Sequence, residues 1–410
     1  MKKSIFIGIL CLFMGSQVKA QFGLSGEIRP RTEYSHGYST LAAKDQDPSV
    51  FTSQRTRLSF DYKMDFLKVG LVLQDARIWG SQPQLVNNED FATSIHQAWA
   101  EMDFSKTIAL KIGRQELNYD DQRILGGVAW LQQGRSHDIA VFKYTGKVNA
   151  HIGIAHHENT NRKDNLYDGP DAYKDLQYLW INRKTEKLNL SLLFLNNGKP
   201  VMVGEKQKSE YSQTFGTHFD IPVQKLAFSG NLYFQTGKDG AGKSLSAFNF
   251  LGEANYKSSD RTSWLIGYEM LSGTDYDKKE TNKSFAPLYG TNHKFNGYMD
   301  YFYVGNHMNS VGLSDGYVKF STSKNKTAFN ADVHFFASAA QVSLEDAGNY
   351  LGTELDLTVT HSLNPAAKIS LGYSQMFATK SMEILKGGGS KDAFNNWAYL
   401  MISITPKFIP

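Results

Sequence analysis

The chain is predicted to be an all-β protein, a transmembrane antiparallel β-barrel of about eighteen strands with short periplasmic turns and long extracellular loops. Three observations predict it. Short segments alternating apolar and polar side chains recur from end to end, the connections between them alternate short and long, and only the extreme N-terminus resembles a helical apolar span. In residues 188–194, Leu188, Leu190, Leu192 and Phe194 share one face and Asn189 and Ser191 the other. In 350–359 the apolar face carries Leu351, Leu355, Leu357 and Val359, the polar face Glu354, Asp356 and Thr358. Successive strand side chains point to opposite faces, so each segment makes a sheet with one apolar and one polar side. If the apolar side meets lipid and the polar side water, the sheet must close to leave no unpaired edge. A soluble β-sandwich would show the same alternation without needing the loop asymmetry.

Taken in chain order, residues 1–20 read as a signal peptide. Lys2 and Lys3 form its charged region, residues 5–14 its apolar core, and Val18-Lys19-Ala20 its cleavage site. The apolar run is too short to span a bilayer as a helix. Cys11, the only cysteine, lies inside it, and Leu10 occupies the place where a lipoprotein needs a small residue. The mature chain, 21–410, is thus expected to use neither disulfides nor thiol chemistry. A mean hydropathy of −0.40 excludes a helical membrane protein but not a barrel, whose lumen and loops dilute the lipid face. A net charge of +4 suggests no nucleic-acid partner. No Pro- or Ser-rich linker divides the chain, so 21–410 reads as one domain.

Short connections fall at 63–65, 105–106, 145–147, 184–186, 222–224, 258–260, 323–325 and 363–365. Longer polar stretches lie between them, at 35–50, 78–91, 118–136, 159–174, 275–309 and 380–392. That asymmetry places the short turns in the periplasm. Eight short turns and two periplasmic ends give the even strand number that closure requires. At the C-terminus, Leu400, Ile402, Ile404 and Phe408 face one way, an outer-membrane pattern with Ile409 and Pro410 following the aromatic residue.

The first hairpin carries the densest water-side charge. Glu27, Arg29, Arg31 and Glu33 share one strand face, and Arg55, Arg57 and Asp61 share the next. A guanidinium fork matches carboxylates bidentately, so four of them form a candidate ladder for an acidic solute. The alternative is that Glu27, Glu33 and Asp61 neutralise the arginines and merely brace the wall. Lys143 joins a mixed set of inward charges, while Asp75, Arg77 and Arg114 break the parity and are expected at the rim or turned inward by a bulge. Residues 237–244 fit GxxxxGK[ST], but a strand pattern follows where a phosphate loop needs a helix, so this is read as a hairpin tip. His156 and His157 would point to opposite faces and cannot share a metal. His137-Asp138 after Ser136 is the nearest catalytic candidate, yet adjacency is not triad geometry. No enzyme activity, cofactor or metal is expected.

Gly113-Arg114-Gln115-Glu116-Leu117, Asp121-Gln122-Arg123, Trp130-Leu131-Gln132-Gln133-Gly134-Arg135 and Asp138 resemble the signature of the alginate export family. Phe285-Ala286-Pro287-Leu288-Tyr289-Gly290-Thr291-Asn292-His293-Lys294-Phe295-Asn296-Gly297-Tyr298-Met299-Asp300 is a second match. The family's best-known members pass an anionic polysaccharide outward across the outer membrane of Gram-negative bacteria. The resemblance implies an eighteen-strand barrel, a basic constriction and long loops folded partly into the pore. On it, Arg114, Arg123 and Arg135 would support the ladder, and Trp130, Tyr289, His293, Tyr298 and Asp300 would form a loop constriction. The expected partners are outer-membrane lipid, an anionic saccharide or small anionic solute and, for export, periplasmic proteins. A nonspecific porin, a loop-plugged surface-binding scaffold and an in-barrel hydrolase are the rival readings.

Overall fold

Eighteen long strands, from Gln21–His36 to Asn396–Ile404, run antiparallel, each paired with its neighbours in sequence. The first and last also pair, Tyr34 opposite Ala398 and Ile28 opposite Ile404, so the sheet closes into a barrel. The computed structural model describes residues 20–409 except 85–92, 159–166, 168, 170–172, 205, 279, 292 and 344–347. The signal peptide expected over 1–20 therefore lies outside the described residues, apart from Ala20. Two short strands complete the sheet: Thr281–Asn282 runs parallel beside Ser244–Ser259, and Lys407–Ile409 continues the last strand along the first.

Closure satisfies every strand edge, and the period-two sequence sorts the two faces. Leu190, Leu192, Phe194, Phe215, Leu232 and Phe250 are exposed on the outside, while Ser191, Asn197 and Asn249 are buried inside. An apolar exterior around a polar interior inverts the soluble arrangement and suits lipid. No helix among the described residues is long and apolar enough to cross a membrane. Eight tight turns, at 65–66, 104–107, 145–148, 185–188, 224–225, 260–261, 325–326 and 365–366, sit at one end. The long loops sit at the other, with two short hairpin connections among them, one between Val203 and Lys206 and one at 239–243. The GxxxxGKS stretch is the second of these, and Ser244–Ser259 leaves it as a strand.

One facial assignment is overturned. Phe336 pairs with Gly352 and Ala337 with Tyr350, so Leu351 is an extra residue in its strand. This bulge turns Leu351 inward, where it is fully buried, although Leu355 and Leu357 keep the outward face and Glu354 and Asp356 the inward one. Leu351 joins an apolar core made largely by loops folded into the barrel, with Leu117, Leu125, Met299, Tyr301 and Phe302. The hydrophobic core thus sits inside the barrel, toward the long-loop end, and it holds the loops that carry the two family-like stretches.

Candidate functional site: the loop-lined constriction

The arginines of the first hairpin point inward and grip a loop. Arg29 donates to the carbonyls of Ala129 at 2.8 Å and of Trp130 and Leu131 at 3.1 Å, and to Oε1 of Gln132. Arg31 binds Glu33 at 2.8 Å and the Trp130 carbonyl at 2.9 Å, and its guanidinium lies 4.2 Å over the Trp130 ring. Arg55 is bidentate to Glu27, at 2.7 and 3.1 Å, and reaches the Ala129 and Leu131 carbonyls. Arg57 donates to Gln74 and to the Gln133 carbonyl and lies 4.0 Å from Glu116, which His96 holds at 2.8 Å. Backbone carbonyls crowd onto one wall because guanidinium offers five donors and the two nearby carboxylates fill only some. Gln132 returns the contact by donating to Ser53 at 3.0 Å.

The two family-like stretches meet in the lumen. Leu125 and Tyr289 form a parallel bridge, and Gly126 donates to the Tyr289 carbonyl. At Gly290 a Cβ would stand 2.0 Å from the Arg123 carbonyl oxygen, and at Gly297 (φ +83°) 2.5 Å from Glu354. Only glycine permits those approaches. Trp130 stacks on His293 at 4.1 Å and 6°, and His293 stacks on Tyr298 at 5.1 Å. Nδ1 of His293 contacts Asp300 at 3.1 Å, the Tyr38 hydroxyl donates to Asp300, and the Tyr298 hydroxyl donates to Asp332 at 3.4 Å. Tyr289 donates to Asn197 at 2.6 Å. Trp130, His293, Tyr298 and Asp300 therefore form one aromatic and polar cluster, while Tyr289 sits apart from it, against Asn197, His137 and Tyr173.

The remaining basic candidates separate. Arg123 is fully buried and bidentate to Glu269, both contacts 2.7 Å, with Asn296 at 2.8 Å, so it bolts the loop to the strand Thr262–Leu271. Arg114 does not line the lumen: Gln115 and His137 take the inward positions, and Arg114 pairs outside with exposed Asp138 at 3.0 Å. Asp75 and Arg77 pair with each other on the outward face, opposite buried Gln74. Asp61 is exposed near the short-turn end and forms no ion pair among the described residues. Lys143 faces inward and holds Glu101 at 2.5 Å, next to Lys68. Arg135 ends the same loop as Arg123, but its side chain makes one hydrogen bond among the described residues, to the Gly290 carbonyl at 3.0 Å.

Across the barrel, nearer the short turns, lies a vestibule of about 530 Å³ that sequence parity did not delineate. Asp120, Asp121, Asp220, Glu253, Glu269 and Asp332 line it, with Lys294 and Lys319 as its lysines. Asp332 is held by Lys319 at 3.2 Å, Asp220 by His218 at 3.3 Å, and Glu253 by the Tyr317 hydroxyl at 2.6 Å. Burial raises the Asp120 carboxyl above its usual range, against the hydrogen bonds that would lower it. No group of three or more His, Cys, Asp or Glu suited to a metal occurs among the described residues.

A closed eighteen-strand antiparallel barrel is also the fold of the solved structures to which this chain is similar. Residues 20–383 match the family described as alginate export. The chain belongs to that family. It is therefore an outer-membrane channel of a Gram-negative bacterium, akin to transport proteins. Among solved structures, it is similar to Acinetobacter baumannii OccAB4, at 12% identity and TM-score 0.63, covering 96% of this chain and 99% of that one. Pseudomonas aeruginosa OccK11 (OpdR) aligns at 12% identity and TM-score 0.60, over 95% and 96%. Pseudomonas aeruginosa OpdK, solved with vanillate, aligns at 11% and 0.59, over 94% and 99%. At such identities these likenesses concern the barrel fold. No curated protein matches the sequence.

Proposed function

We propose that the chain is a passive channel for acidic solutes, uronate-like saccharides or other small carboxylates. The charge of the constriction wall carries this reading. Four guanidiniums stand there against Glu27 and Glu33, with Glu116 at the margin and shared with His96, which leaves a positive surplus. The carboxylates across the barrel add a transverse field that turns a solute's acid group toward the arginines. The vanillate in the OpdK structure is itself a carboxylate, which supports the class. Several weak contacts in series let a solute advance, driven by its gradient. Export of an acidic polysaccharide would use the same wall and add periplasmic partners. Catalysis forms no part of the proposal, because buried His137 points inward and exposed Asp138 outward.

Reversal potentials in a salt gradient across planar bilayers test this. The wild type should prefer anions and be blocked by uronate oligomers; a cation preference would overturn the proposal. The loop core around Met299 and Tyr301 favours a second reading, a plugged surface-binding barrel. That barrel would conduct almost nothing under every condition.

A further inference from the structure

A second cavity, of about 340 Å³, opens at the long-loop end beside the constriction. Arg135, His137 and Lys199 line it together with Tyr173, Tyr289 and Tyr303. None of its described lining residues is acidic. Among the described residues Arg135 forms no ion pair, and the one hydrogen bond of its side chain, to the Gly290 carbonyl, leaves most of its fork unused. Arg123, twelve positions earlier on the same loop, has a carboxylate on two of its nitrogens. His137 is 4% exposed, and while Nδ1 contacts the Tyr173 hydroxyl at 3.0 Å, Nε2 has no hydrogen-bond partner among the described residues. Lys199 likewise forms no ion pair among the described residues.

Cations and polar atoms withdrawn from water without counter-charges are costly, and a bound anion removes that cost. Burial lowers the basicity of Arg135, as expected for a guanidinium with no acid beside it. The tyrosines supply ring surfaces: Tyr289 meets His137 and Tyr173 edge-on, at 5.5 and 5.3 Å. A cavity near the lower end of the usual ligand range, roughly 300 to 1,000 Å³, suits one ring rather than a polymer.

We propose that this pocket binds a carboxylate carried on a single ring, arene or uronic sugar, with Arg135 as its fork and His137 and Lys199 as flanking contacts. It deepens the acidic-solute reading but rests on groups separate from the arginine wall.

Calorimetry on the full chain in detergent, with benzoate and glucuronate as probes and benzamide and methyl glucoside as neutral counterparts, tests it. At least one acid should bind saturably where its neutral counterpart does not, and the tighter acid identifies the ring. Arg135→Gln should weaken that binding by at least about tenfold, since hydrogen bonds to a charged group are lost. Arg135→Lys should weaken it less, because an ammonium keeps the charge without the fork. Acids binding no better than their neutral counterparts, or wild-type affinity in Arg135→Gln, would overturn the proposal. If Arg135→Gln does not fold, unchanged affinity in both Arg135→Lys and Lys199→Gln overturns it instead. A cation-selective wild type that still binds acid through Arg135 would sink the channel reading and leave this pocket standing.

Discussion

The two charged walls of the lumen hold their charges in opposite ways. On the first hairpin, arginines are satisfied largely by the backbone carbonyls of residues 129–133, a loop that strand pairing does not fix. In the vestibule across the barrel, Asp332, Asp220 and Glu253 are satisfied by side chains of the strand wall, Lys319, His218 and Tyr317. The same parity rule turned both sets inward. What differs is whether the partner can leave. Displacing the loop frees the four hairpin guanidiniums for a solute, whereas Asp220, Glu253 and Asp332 keep their partners on the strand wall, so the arginine wall is the displaceable one.

The comparison breaks most visibly if Arg29, Arg31, Arg55 and Arg57 are all replaced by Gln. The wall then loses its charge and its hold on residues 129–133 together. Each hydrogen bond to a charged group is worth about 1.5–3 kcal/mol, so the loop should detach. Single-channel conductance should rise several-fold, and the reversal potential should move toward cations. A conductance unchanged in the quadruple variant would mean that the contact at Leu125 and Tyr289 alone holds the loop.

A different bond ties the loop to the vestibule side. Arg123→Met leaves Glu269 buried with Asn249 and Asn296 as its donors. Breaking a buried pair on one side costs about 3–5 kcal/mol, while replacing both partners by apolar residues costs much less. Chemical denaturation of the detergent-solubilised barrel should therefore rank Arg123→Met below Arg123→Met/Glu269→Met. Equal stability of the two would show that the pair is solvated.

These contrasts mark what the sequence could reveal. Strand number, turn asymmetry and the inward face of Arg29, Arg55 and Lys143 were legible because period two is a local property. Leu351 was not, because a one-residue bulge breaks parity, and the adjoining Gly352 was its only local hint. The destination of each inward charge was equally hidden. Arg123 and Glu269 are 146 residues apart, and Arg29 meets carbonyls about 100 residues away, so neither partner leaves a trace in the spacing. Gln132 stood inside a family-like stretch, yet its contact with Ser53 depends on a loop entering the barrel.

Acid should loosen the loops by a smaller amount. His307, in the short helix Val304–His307, is buried against Phe302 and contacts the Gly312 carbonyl at 3.0 Å. Burial pushes its pKa down to about 3. Once the loop is displaced, the imidazole takes up a proton below its ordinary pKa near 6.5, whereas in place it stays neutral until about pH 3. Stability of the packed loop thus falls as pH drops through that window. At pH 5 the loss is on the order of 2 kcal/mol. Open-state occupancy should increase from pH 7 to pH 5 and do so less in His307→Asn. An equal pH response in the variant would place the acid sensor elsewhere.

The smallest effect should come from Arg114. It belongs to the same family-like stretch as Arg123 and Arg135, but strand parity sends it outward to Asp138 at the rim. Both side chains are more than a third exposed, so water and salt screen the pair, and exposed ion pairs of this kind contribute about 0–1 kcal/mol. Arg114→Gln should leave conductance, selectivity and denaturation midpoint close to wild type. A clear loss of anion preference in this variant would place Arg114 on the permeation path. The outward assignment of that strand face would then fail, and with it the division of the lumen into a displaceable basic wall and a fixed acidic one.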